Sequence, residues 1–228
     1  MKIFVVILCA TMVTIAKAAP LKLAITISDS NGSSFTANIV FHGDRALEYG
    51  PELSASPDAS FDLASDSWTE GESGTRITLA QAREWAEVSR TKARGSMERM
   101  SNSDQRAFIE DLLSPSFIVT KSAGRVHLKS RFLNYTASEA LEVDSMTMKQ
   151  IFAFDVLNAY RKAMVLRQTP PFTQLEVTRV LSEEAIIPGL LVTDITTPKG
   201  SVRVTIRYSV SALTPEEEAK MRKPNQQE

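Results

Sequence analysis

The sequence predicts an α+β domain in which a mostly antiparallel, curved sheet packs on a long central helix, with an additional helical pair. Three observations predict it. Apolar and polar residues alternate near both ends of the chain, through Leu21, Leu23, Ile25 and Ile27 and again through Val202, Val204, Ile206 and Tyr208, which is the period of a half-buried strand. From about Ser145 to Arg167, Met148, Ile151, Phe152, Phe154, Leu157, Tyr160, Met164 and Leu166 cover most of a helical circumference, as in a helix enclosed by other elements. Two shorter helical patterns stand together before it.

In order, the first alternation passes Asp29-Ser30-Asn31-Gly32 and resumes through Phe35, Ala37, Ile39 and Phe41, a hairpin with an Asn-Gly turn region. From about Tyr49 to Gly74 the period is lost and Gly, Pro, Ser and acidic residues collect, so an exposed acidic loop is expected there, with Phe61 and Trp68 pinning it to the body. Thr78 can cap a helix to about Met100, and Ser103 a second through Leu113, stopped by Pro115. Strands are expected over Phe117 to Thr120 and Arg125 to Tyr135. Asp144 caps the long helix and Pro170-Pro171 ends it. Three strands then follow at roughly Gln174 to Leu181, Glu184 to Ile195 and Ser201 to Ala212, the last two joined by Thr197-Pro198-Lys199-Gly200, before a polar tail at 214–228.

The first eighteen residues read as an address and not as structure. Lys2 precedes an apolar run from Ile3 to Ile15, and Ala16-Lys17-Ala18 sets small residues where a signal peptidase reads them. Residues 1–18 are therefore expected to be a cleaved signal peptide, leaving a single domain at 19–213 and the tail. The run is shorter than the ~20 residues of a spanning helix, so no transmembrane anchor is expected in the mature chain. The sole cysteine, Cys9, departs with the leader, and a cysteine-free exported chain fits a bacterial periplasm or medium.

The formal charge of −1 becomes two units more negative when Lys2 and Lys17 leave, so no global field draws the chain to nucleic acid. His42 and His127 lack partners at ligand spacing, and no metal or other cofactor is expected. Gly-x-Ser-x-Gly, phosphate-loop and His-Glu-x-x-His motifs are missing; Ser89-Arg90-Thr91-Lys92 matches Ser-x-x-Lys without its companion motifs.

Three constellations remain. The long helix offers Phe152, Phe154 and Tyr160 as one wall of a cleft for a small apolar ligand. Asp155 interrupts the apolar stripe of that helix and is the candidate catalytic carboxyl of a hydrolase acting on glycans or esters; the plainer expectation is that Asp155, Asn158, Arg161 and Lys162 form the helix's wet face. Strand alternation puts Arg125, His127, Lys129 and Arg131 on one face and does the same for Arg203 and Arg207, a basic surface for a polyanion. The leading expectation is an exported, non-catalytic protein that binds a small apolar ligand or an envelope protein.

Overall fold

The computed structural model describes residues 20–54, 56–168 and 170–222, and the expected signal peptide lies outside them. Six strands come first: Leu21–Asp29 (β1), Ser34–His42 (β2), Arg45–Tyr49 (β3), Ala59–Asp62 (β4), Ser67–Glu70 (β5) and Arg76–Thr78 (β6). The β1–β2 turn closes because the Asp29 carboxylate accepts from the Asn31 and Ser33 amides, while Gly32 takes the left-handed backbone (φ 85°) that a side chain would resist. Two helices follow, Leu79–Met97 (α1) and Ser103–Leu113 (α2). Thr78 and Gln81 form a reciprocal capping box at α1, and Asn102, one residue before the expected Ser103, caps α2 through the Gln105 amide.

Ile118–Ser122 (β7), Arg125–Lys129 (β8) and Leu133–Ala140 (β9) lead into Ser145–Met164 (α3), capped by Asp144 through the Met146 and Thr147 amides. Phe172–Glu183 (α4), Pro188–Thr197 (β10), Gly200–Ala212 (β11) and Pro215–Arg222 (α5) complete the described chain. The eleven strands form one open antiparallel sheet in the order β6-β5-β4-β3-β2-β1-β11-β10-β9-β8-β7. Both sequence-distant ends of the fold thus meet mid-sheet, where Ile25 faces Tyr208 and Ile27 faces Ile206 across the β1–β11 ladder.

Two apolar clusters cover one face of this sheet. The larger joins β1 to β5 with α1 and α3; within it Phe154 meets Phe41 and Phe61 edge-on at 5.9 and 4.9 Å between ring centroids. The smaller joins β8, β9 and β10 with α4 through Val126, Leu128, Ala137, Val177, Val180 and Leu191. Phe152, Ile206 and Tyr208 pack against both.

Three expectations are corrected. The segment 49–74 is not an exposed loop: it holds β4 and β5, and Phe61 and Trp68 are 0% exposed. Only four residues long, these strands show too little alternation to stand out, and their acidic members do structural work described below. Gln174 to Leu181 is helical, within α4, because its buried residues Phe172, Thr173, Val177, Thr178, Val180 and Leu181 recur at helical intervals while Arg179 bonds Glu176 and Glu183 along the outer face. The single strand expected from Arg125 to Tyr135 is two. Asp111 of α2 accepts from the Ser130 hydroxyl (2.6 Å) and the Phe132 amide (3.1 Å), pinning a turn between β8 and β9.

A cavity between the helices and the sheet as candidate functional site

Where the two apolar clusters meet, a cavity of about 240 Å³ lies between α3, α4 and the middle strands. Its sheet side is made by Ile25 and Ile27 of β1, Ile206 and Tyr208 of β11, Leu191 of β10 and Tyr135 of β9. Ladder register puts these side chains on one face: Ile25 pairs with Tyr208, Ile27 and Leu191 with Ile206, and Thr193 with Tyr135. From the helices come Ile151 and Phe152 of α3 and Val177, Thr178 and Leu181 of α4, and exposed Gln168 and Pro170 of the α3–α4 connection also line it.

The charged lining lies on α3, while Gln168, Thr173, Gln174, Thr178 and Thr193 add neutral polar groups elsewhere. Asp155, Asn158 and Lys162 stand at i, i+3 and i+7 and so share a stripe, continuing Ile151 one turn earlier. Asp155 makes no hydrogen bond or ion pair among the described residues. Burial pushes its carboxyl up to about 7, against the opposing pull of Lys162. Asn158 is 3% exposed and its Oδ1 has no partner. Tyr208 and Tyr135 hydroxyls are held protonated by burial, with Asp155 adding to the effect at Tyr208 and Asp111 at Tyr135.

The wet face expected for Asp155, Asn158, Arg161 and Lys162 is therefore corrected: from Gln150 to Met164 no residue of α3 is exposed. Helical pattern alone cannot separate a solvent stripe from a stripe on an internal space. Arg161 points the other way, into the larger cluster. Its Nη1 donates to Glu48 (2.8 Å), and Nε and Nη2 grip the Glu70 carboxylate (2.8 and 3.0 Å), which also accepts from the Trp68 indole (2.9 Å). Burial raises the Glu48 carboxyl and Arg161 opposes that rise. This is why strands in an apparently loop-like segment carry Glu70 and Trp68.

Of the three aromatic candidates, Phe152 lines the cavity, whereas Phe154 and Tyr160 lie within the larger cluster. Ile25, Tyr135, Asn158, Lys162 and Tyr208 escaped sequence reasoning as cavity residues, since they converge only through sheet register and helix docking. Of the basic candidates, register places Arg125, His127, Lys129, Arg203 and Arg207 on the sheet face opposite the helices. Arg131 belongs to the β8–β9 turn and not to that strand face. Arg203 is held by Asp194 (2.6 and 3.1 Å) and Arg207 approaches Glu139 (3.9 Å), which reduces the charge offered to a polyanion. His127 Nδ1 is bonded to the Thr136 hydroxyl (3.1 Å).

Among the described residues, no helix is long and apolar enough to cross a membrane, and no cluster of His, Cys, Asp or Glu is arranged to hold a metal ion. No protein-family model and no curated protein matches the chain.

Proposed function

We propose that this is an exported, non-catalytic protein that binds a small, largely apolar ligand, with α3 as the central helix on which the sheet closes and as one wall of the binding cavity. The observation that carries this reading is the 240 Å³ cavity itself, mostly apolar on the sheet side, mixed on α4, and with its charged side chains confined to one stripe of α3. A well-packed interior holds few spaces larger than a water molecule, so a space of this size reached past the exposed Gln168 and Pro170 is one a ligand can enter. An apolar occupant gains by removing these apolar walls from water. Since a 150 Å³ apolar cavity takes benzene, this one suits a ligand of roughly ten heavy atoms.

Calorimetric titration with 1-octanol, which has that size, tests the reading. Binding is expected, and Ile27→Trp, which drives an indole into the cavity from a half-buried position, should abolish it. Equal binding by parent and variant would place the ligand elsewhere.

A second reading rests on the Asp155 carboxyl, whose pKa near 7 suits proton transfer in a hydrolase. It is the one carboxylate among the described residues that line the cavity, half of what a two-carboxylate glycosidase uses. Assay of the parent and Asp155→Asn on glycan and ester panels decides it: an Asp155-dependent turnover supports the enzyme, and an inactive parent ends it.

A further inference from the structure

Three polar side chains without a full complement of hydrogen-bond partners converge on one stripe of α3. The Asn158 side chain is buried, its Oδ1 is an acceptor with no donor, and its Nδ2 makes no hydrogen bond among the described residues. Lys162 lines the same space and makes no ion pair within 4.0 Å. Asp155 makes no hydrogen bond or ion pair among the described residues, and in a cavity also lined by Ile151, Phe152, Ile206 and Tyr208 its burial favours the protonated, donating carboxyl against the pull of Lys162. Buried polar groups of this kind are costly unless a ligand brings partners: acceptors for the Asn158 Nδ2 and Lys162 Nζ, and a shared proton for Asp155 and the Asn158 Oδ1. With Asp155 neutral, Lys162 leaves one positive charge on the cavity. An alcohol would answer one donor; a carboxylate supplies two oxygens, several lone pairs and the compensating negative charge.

Resting on the ligand-binding reading above, we infer that the occupant is a medium-chain aliphatic monocarboxylate whose head is received by Asp155, Asn158 and Lys162, the ligand and Asp155 sharing one proton, while its chain lies along Ile151, Ile27 and Leu191. Asp155 and Lys162 are seven residues apart, about 10.5 Å along the helix axis, with Asn158 between them, so the head has room between the carboxyl and the ammonium group. Two carboxyl groups in one apolar site cannot both ionise, and binding an ionised ligand above neutral pH must draw a proton from solvent. The other groups lining the cavity do not supply it: Tyr208 and Tyr135 are held protonated, and α4 contributes the neutral Thr173, Gln174 and Thr178.

The test is calorimetric titration of the purified protein with octanoate, 1-octanol and naphthalene, each run in two buffers of different ionisation enthalpy at pH 6.5, 7.5 and 8.5. Octanoate should bind with uptake of about one proton at pH 8.5, its affinity falling toward about tenfold per pH unit above neutrality. Asp155→Asn should abolish both the uptake and the pH dependence. Lys162→Gln should weaken octanoate about tenfold or more and leave octanol within about threefold, so the inference stays testable if Asp155→Asn fails to fold. Octanol binding as tightly as octanoate at every pH, with no proton taken up, would overturn the inference and leave the ligand-binding reading standing. No binding of octanoate, octanol or naphthalene would remove both.

Discussion

Asp155 is the residue on which the pH dependence of stability and the proposed ligand recognition both turn. Its carboxyl rises from the ordinary value of 3.8 to about 7 on folding, so the native state binds its proton more tightly than the unfolded chain does. Stability from this group is therefore undiminished below pH 4, falls as pH climbs from about 4 to 7, and stays depressed above, by on the order of 4 kcal/mol. Asp155→Asn should unfold at higher temperature than the parent at pH 8.5 and show no such gain at pH 4, as thermal unfolding followed by circular dichroism would report. Arg161 has the opposite logic. Arg161→Met leaves Glu48 and Glu70 confronting each other in the interior, at a cost of about 3–5 kcal/mol near neutral pH, and acidification that protonates them should shrink the difference. Asp155 was visible in the sequence as an interruption of an apolar stripe, but the difference between Asp155 and Arg161 was not. Both sit on the same helix six residues apart, and only the elements packed on either side decide which meets a cavity and which meets two carboxylates.

Helix ends and hairpin turns were the most legible elements, because their chemistry is local. The Thr78–Gln81 capping box and the Asp144 cap are spelled out within three residues, and Thr78→Ala should cost about 1 kcal/mol in denaturant unfolding. Gln174 to Leu181 was misread as a strand because Val177, Thr178 and Val180 are β-branched; the buried positions of α4 decide for a helix once a sheet face is present to receive them. Splitting of the 125–135 strand is a long-range effect, since Asp111 lies some twenty residues before the turn it holds. Asp111→Ala should loosen Ser130 to Phe132 and accelerate amide exchange at the Phe132 amide, leaving exchange in α1 unchanged. Strand β10 carries a strict local demand of its own. A Cβ on Gly189 would stand 2.5 Å from the Glu139 carbonyl oxygen, so Gly189→Ala should lower stability by about 1–3 kcal/mol through displacement of β9.

At the scale of the whole molecule, the α+β class followed from the sequence and the strand order did not. Pairing of β1 with β11 joins residues nearly two hundred positions apart, and no local pattern records it. The cavity exists because of that pairing: Ile25 and Ile27 from one end of the chain and Ile206 and Tyr208 from the other make its floor under α3 and α4. Binding should therefore stabilise the entire domain. A ligand at a hundred times its Kd adds about 2.7 kcal/mol, enough to raise Tm by several degrees, whereas Ile27→Trp should lose that response. The most direct measurement is native mass spectrometry of the protein purified gently from its own producer. The account predicts a reproducible extra mass that is released on unfolding, absent from Ile27→Trp, and replaceable by added octanoate. A bare mass that takes up neither octanoate nor 1-octanol would contradict it.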